Sequence, residues 1–192
     1  MHRLVVNSGM DRNSTATPIV VLEELGLSAT EAAVAQARDL LLEYGRFVVA
    51  QPGAARFCFG SLEKEAAGLP QSYLDQGGGC LVASVHGQPV GFVGWRVLPG
   101  PTDPHAWELK RLWVRPVARG FSLGRALTQA VIDRALAAHR SAIYLDTAPE
   151  VMGAAHQLYR ELGFEPCPPY NENPVEGLAW LRKTHLAVSP RA

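Results

Sequence analysis

Five cations, Lys110, Arg111, Arg115, Arg119 and Arg125, fall inside one stretch of a chain whose formal net charge is zero, and no acidic residue separates the first from the last. The residues around them change character in a fixed order. An extended, apolar-alternating run stops at Pro116, which has no N–H to give a ladder and so closes a strand. Gly120 and Gly124 follow. Apolar residues then recur at Leu123, Leu127, Ala130, Val131, Ala135 and Ala138, a helical spacing. A strand, a glycine-bearing turn and a helix start aim several main-chain N–H groups and the positive end of a helix dipole at one spot. That is the chemistry of an anion site, best suited to phosphate. Glycine lets the backbone approach such a ligand because no Cβ intervenes. A dinucleotide fingerprint would need three spaced glycines and an acid about 20 residues on, and a P-loop would need Gly-Lys-Ser/Thr; neither is here. On these residues alone, a plain connection between a strand and a helix remains the alternative.

The elements that position this turn can be read on either side of it. At 192 residues, 47% hydrophobic and 19% charged, the chain has the composition of one ordinary globular domain. Residues 17–186 are expected to form it, with 1–16 a loosely docked or mobile tail and 187–192 frayed. Ile19–Leu22 predicts a first strand. Ser28 with Glu31 three residues later predicts a capping box, and a helix runs from there to about Gly45 with Ala33, Ala37, Leu40, Leu41 and Tyr44 on its apolar side. Leu62–Ala67 predicts a short helix stopped by Gly68 and Pro70. Cys80–Val85 and Val90–Val97 predict a hairpin across His86–Pro89, Ala106–Arg115 a central strand, and Gly177–His185 a last strand. A sequence pI near 7.0 gives no general pull toward nucleic acid or a membrane surface. No apolar run approaches the roughly 18 residues of a span, and Met1–Asn7 lacks the apolar core of a signal peptide. Cys58, Cys80 and Cys167 are odd in number and unpaired by spacing, so reduced thiols and a cytoplasmic location are expected. The histidines are scattered, and no metal is expected.

Downstream, Ile143-Tyr144-Leu145-Asp146-Thr147 reads as a strand, and Met152 to Phe164 as a helix stopped by Gly163. Arg119-Gly120-Phe121-Ser122-Leu123-Gly124 resembles the Arg/Gln-x-x-Gly-x-Gly/Ala acyl-CoA loop of the GNAT superfamily of N-acetyltransferases. Leu158-Tyr159-Arg160-Glu161-Leu162-Gly163-Phe164 resembles that family's Leu-Tyr-x-x-Leu-Gly-Phe signature, at the family's distance. The resemblance is clear over about residues 78–185 and looser from residue 17. It implies an α/β acyl-CoA N-acyltransferase fold, with a mixed central sheet of about six or seven strands flanked by about four helices. It also implies transfer of an acetyl group from acetyl-CoA to an amine of a small molecule or peptide, by direct attack in a ternary complex. A homodimer is possible, and neither nucleic acid nor membrane is expected as partner. The alternatives are a longer acyl group or hydroxyl acceptor, a non-catalytic acyl-CoA-binding or sensing module, and an interaction domain that has lost the cofactor.

Roles follow from the resemblance residue by residue. Main-chain groups of Leu112 and Val114, with Trp113 between them, would hold the pantetheine arm like an added strand. Arg119, Gly120, Phe121, Ser122, Leu123, Gly124 and Arg125 would cradle the pyrophosphate. Ser122 departs from the family's glycine; if φ is positive there, serine costs about 1 kcal/mol. An acceptor amine with a lysine-like pKa costs roughly 4–5 kcal/mol to deprotonate at pH 7, so a base should matter. Glu108 is the candidate. If the strand alternates without a bulge, Glu108, Lys110, Leu112 and Val114 share a face. Lys110 would then lower the basicity of Glu108, form a plain ion pair with it, or bind a substrate carboxylate. Tyr159 occupies the family position that protonates the leaving thiolate. A phenol near 10 giving a proton to a thiolate near 8.5 goes uphill by roughly 2 kcal/mol, so a hydrogen bond to sulfur is its contribution; the alternative is a core tyrosine. Tyr170 and Asn173, in the Pro168–Pro174 run, border the acceptor site by resemblance or simply form a turn. Phe57, with Phe59, Tyr73 and Arg46, lines that site or fills the core.

Overall fold

Apolar strand residues pair into one mixed sheet because their backbone polar groups need partners once buried. The computed structural model describes residues 3–7, 19–51, 59–100, 102–173 and 175–184. Its strands are β1 (Arg3–Asn7), β2 (Ile19–Glu24), β3 (Gly79–Val85), β4 (Gln88–Val97), β5 (Trp107–Val114), β6 (Ile143–Thr147), β7 (Glu165–Pro166) and β8 (Ala179–Lys183). The helices are α1 (Glu31–Val49), α2 (Phe59–Ala67), α3 (Gln71–Leu74), α4 (Leu123–Ala137) and α5 (Gly153–Glu161). The eight strands lie in the order β1-β2-β3-β4-β5-β6-β8-β7. Neighbours are antiparallel except β5 and β6, which run parallel and are joined by α4, as a parallel pair requires.

Two hydrophobic layers follow from strand alternation. Leu81, Ala83, Val93, Trp107 and Leu109 face α4 and α5, where Leu127, Val131 and Tyr159 close the core. Cys80, Val82, Phe92 and Trp113 face the other way, against Leu40 and Leu41 of α1, Leu62 of α2 and Tyr73 of α3. Tyr73 is 1% exposed, so it is core and not pocket lining, while Arg46 is exposed.

Three expectations are corrected. Within residues 1–16, Arg3–Asn7 is a strand in register with β2, because Leu4-Val5-Val6 supplies the β-branched apolar run that an edge accepts. The cap of α1 is Thr30, whose side chain accepts a hydrogen bond from the Ala33 N–H, and not Ser28. The helix also continues through Gly45, itself buried against the core. Residues 187–192, Phe57 and Cys58 lie outside the described residues.

Candidate functional site

The site is made where the sheet comes apart. Strand β5 pairs with β6 only at Trp107↔Ile143 and Glu108↔Tyr144. Beyond that the two strands part, and the β6-facing edge of Leu109–Val114 has no strand partner. On the other side of β5 the register slips between Phe92 and Gly94, where Gly94 pairs Lys110 and Phe92 pairs Trp113. Arg111 sits at this bulge with φ 60°, a left-handed conformation uncommon for a non-glycine residue. Its guanidinium is held by Glu65 of α2, with Nη2 donating to Oε2 at 3.0 Å and Nε to Oε1 at 3.3 Å. Burial raises the Glu65 carboxyl, but the Arg111 charge together with the hydrogen bonds from Arg111 and Tyr73 outweighs it and holds the group below the ordinary carboxylate range.

The bulge resets parity along β5. Leu109 faces the α4 side, and after the extra residue Leu112 and Val114 do too. The unbroken alternation that put Glu108 and Lys110 on one face with Leu112 and Val114 therefore does not hold. The strand presents apolar residues to α4 and α5 at its end, and charged ones to the opposite face at its start.

A cleft of about 440 Å³ opens in the gap. Leu112, Trp113 and Val114 form one wall, Met152 and Ala155 the other, and Arg119, Gly120, Ser122, Leu123, Gly124 and Arg125 close one end. The closing turn combines two positive-φ residues with a helix start. Gly120 has φ 97°, and Ser122 sits at φ 54°, ψ 22° as the N-cap of α4 without its side chain capping the helix. The first-turn N–H groups thus have no side-chain acceptor there. The condition set for Ser122, a positive φ, is met. At Gly124 the fit is tight, since a Cβ there would stand 3.3 Å from Leu158 Cδ2. Arg119 lies over the Trp113 ring at 5.9 Å, and Arg125 is ion-paired with Glu161 of α5. Phe121 packs partly buried against the core and is not among the lining residues.

A smaller polar recess of about 40 Å³ adjoins the cleft and shares Tyr44, Leu112, Met152 and Ala155 with it. Glu108, Leu109, Lys110, Arg111, Asp146, Thr147 and Tyr159 complete its lining. Glu108 is 2% exposed and fully engaged. Arg96 Nε donates to its Oε2 at 2.6 Å, Lys110 Nζ lies 3.7 Å from the same oxygen, and the Tyr170 hydroxyl donates to Oε1 at 3.3 Å. Asp146 is held differently. Asn171 and Asn173 both donate through Nδ2 to its Oδ2, at 2.7 and 3.2 Å, and no described residue donates to Oδ1. Tyr170 and Asn173 therefore reach the recess through the two carboxylates they hold; neither lines it. Burial, with lesser contributions from Tyr44 and Asp146, pushes the Tyr159 phenol up, so it stays protonated throughout the neutral range. Burial, then the neighbouring Arg111 charge, pulls the Lys110 ammonium down.

Over residues 35–164 the chain matches the family model described as acetyltransferase (GNAT) family. The chain belongs to that family. An N-acetyltransferase of Schizosaccharomyces pombe, uncharacterized by its own description, is 33% identical over 125 residues, 65% of this chain and 74% of its own. N-acetylaspartate synthetase of Xenopus tropicalis is 36% identical over 106 residues, 55% of this chain and 38% of its own length. A solved acetyltransferase structure from Salmonella typhimurium, described with its cofactor acetyl-CoA, superposes with TM-score 0.61 at 16% identity, covering 90% of this chain and 96% of that one. Membership accounts for the mixed sheet and for the strand-turn-helix order around Gly120. The residues missed in the sequence were Asp146, quoted only as part of a strand, and Tyr44 and Glu65, placed on helices far upstream. A carboxylate between Leu145 and Thr147 was the one local sign, since an acid inside an apolar strand needs a reason.

Proposed function

We propose that this GNAT acetyltransferase moves an acetyl group from acetyl-CoA to an amine of a small molecule or peptide by direct attack in a ternary complex. The observation that carries the reading is the joining of two unlike cavities at the parted strands. A cleft ending in helix-start amides leads along the open edge of β5 to a recess holding a tyrosine and an available carboxylate oxygen. The closing turn fits a pyrophosphate by its donor set, and the Leu112–Val114 edge fits a pantetheine amide chain. Charge at Arg119 and Arg125 supports the first, with Glu161 displaced from Arg125 when a phosphate arrives. Bound there, acetyl-CoA supplies an activated thioester carbonyl.

The chain's own groups do the rest. The amine nitrogen bonds to the carbonyl carbon, the carbon–sulfur bond breaks, and the nitrogen loses the proton it can no longer hold. Asp146 Oδ1 receives that proton in preference to Glu108, whose oxygens are already committed to Arg96, Lys110 and Tyr170. Tyr159 donates a hydrogen bond to the departing sulfur, because its buried phenol is too costly to ionise outright. The sulfur takes its proton from solvent on release, which balances the one given up. Cys80 and Cys167 line neither cavity, so no described cysteine is placed to carry the acetyl group; this supports direct attack.

Turnover of acetyl-CoA over an amine library, read as free thiol, tests the reading. Thiol release that depends on an amine, with Tyr159→Phe lowering kcat and sparing acetyl-CoA affinity, supports it. Calorimetric binding of acetyl-CoA without turnover of any amine would leave a binding module of the same fold.

A further inference from the structure

We infer that the acceptor is zwitterionic: an amine carried on a molecule that also bears a carboxylate, of the free amino-acid class, with the carboxylate at Lys110 and the amine at Asp146. The inference rests on the acetyl-transfer reading above and names the substrate class for its recess.

Charge accounting around the recess leaves two groups unmatched. The Arg111 and Glu65 charges offset each other through two hydrogen bonds, with the Tyr73 hydroxyl also donating to Glu65. At Glu108 two cations, Arg96 and Lys110, crowd one carboxylate oxygen, which leaves one positive charge in excess beside the recess. At Asp146 the partners are neutral amides, which leaves one negative charge. A recess lined by a surplus cation, Lys110, and a surplus anion, Asp146, is complementary to a dipolar ligand, and a singly charged amine or acid satisfies only one of the two. Lys110 is mostly withdrawn from water, its side chain 18% exposed, and burial with Arg111 already works against its charge. An incoming carboxylate removes that penalty.

Two further observations point to a ligand at the same place. Thr147 is 4% exposed, lines the recess, and its Oγ1 has no hydrogen-bond partner, an orphan that an amine can satisfy. The recess, about 40 Å³, exceeds the roughly 10–15 Å³ that one water needs and shares Tyr44, Leu112, Met152 and Ala155 with the cleft, so the polar end of an acceptor has room there.

The test is a matched panel with acetyl-CoA: each of the common amino acids, its carboxamide, and the amine lacking the carboxyl carbon. The carboxamide is the less basic amine and the easier to deprotonate, so preference for the acid does not come from amine reactivity. The expected result is that the best acceptors carry a free carboxylate and lose at least about tenfold in kcat/KM as carboxamides. In Lys110→Met, and in Lys110→Gln as a second variant, that ratio falls to near one while acetyl-CoA binding by calorimetry reports an intact fold. Carboxamides or simple amines used as well as the acids, or a preference that survives both substitutions, would overturn the zwitterion assignment and leave acetyl transfer standing. Bound acetyl-CoA with no turnover of any amine would overturn both.

Discussion

The cleft and the recess are neighbours that share four residues, yet they are made of different things. The cleft is main chain and apolar wall: an unpaired strand edge, a glycine, a left-handed serine and the first turn of α4, all drawn from residues 112–125, faced by residues 151–158 and by Tyr44 and Phe47 of α1. The recess is side chains: Tyr44 from α1, Glu108 and Lys110 from β5, Asp146 and Thr147 from β6 and Tyr159 from α5. On the proposed reading, the ligand common to the family is gripped by amides and a helix start, which any residue type supplies, and the variable ligand is read by charged and hydroxyl groups whose identities must be individually right. Substitutions on the recess side should therefore change chemistry with cofactor affinity intact, and substitutions at the turn should do the reverse.

The largest effect is expected from Asp146→Asn, which keeps the shape and removes the proton acceptor. A fall in kcat of about 10²–10³-fold is anticipated, with the acetyl-CoA Kd unchanged. If kcat holds and the Kd moves, the two regions are not the separate machines described here. Next is Glu65→Gln, which leaves Arg111 buried at the bulge without its counter-ion and should cost about 3 kcal/mol of stability at neutral pH. Because the folded Glu65 carboxyl is held below its ordinary value, its contribution is fully present above roughly pH 4.5 and fades as pH falls through the depressed folded value. Thermal unfolding of the two proteins should differ at pH 7 and converge in acid; a constant gap would deny the ion pair its role.

Tyr159→Phe should lower kcat about tenfold or more, consistent with a lost hydrogen bond to sulfur of about 1.4 kcal/mol. The smallest effect belongs to the turn. Ser122→Gly relieves the left-handed strain but loosens the unfolded chain, so a net gain below about 1 kcal/mol is expected in thermal unfolding. Acetyl-CoA affinity decides whether the hydroxyl matters: weaker binding in Ser122→Gly places it on a phosphate, and unchanged binding makes it a tolerated departure. Any change in amine selectivity there would blur the contrast between the two cavities.

Much of the cleft was legible in the sequence because its parts are contiguous. Pro116 ending a strand, Gly120 in the turn and the helical spacing after Leu123 are local signals, and each depends on backbone conformation that a few residues fix. A serine standing where the family has glycine raised the question of positive φ at position 122, which the backbone answers. The recess was legible only in part. Tyr159 came from a family signature, and Glu108 and Lys110 from strand position. Their placement was read through an unbroken alternation that the Arg111 bulge does not follow. The bulge lies against β4 at Phe92–Gly94, and its Arg111 is held by Glu65, 46 residues upstream in α2; no local pattern carries either partnership.

The sequence by itself determined the layered α/β architecture and the family, and it marked the helix-start turn proposed as the anion site, because periodicity and turn chemistry are written in neighbouring residues. Only the tertiary structure decided that Glu108 is tied to Arg96 and Tyr170, that Asp146 keeps an oxygen available, and that Lys110 and Asp146 line one recess. Those facts are sums over partners brought together by the sheet, and partnership between distant residues exists only once the chain has folded.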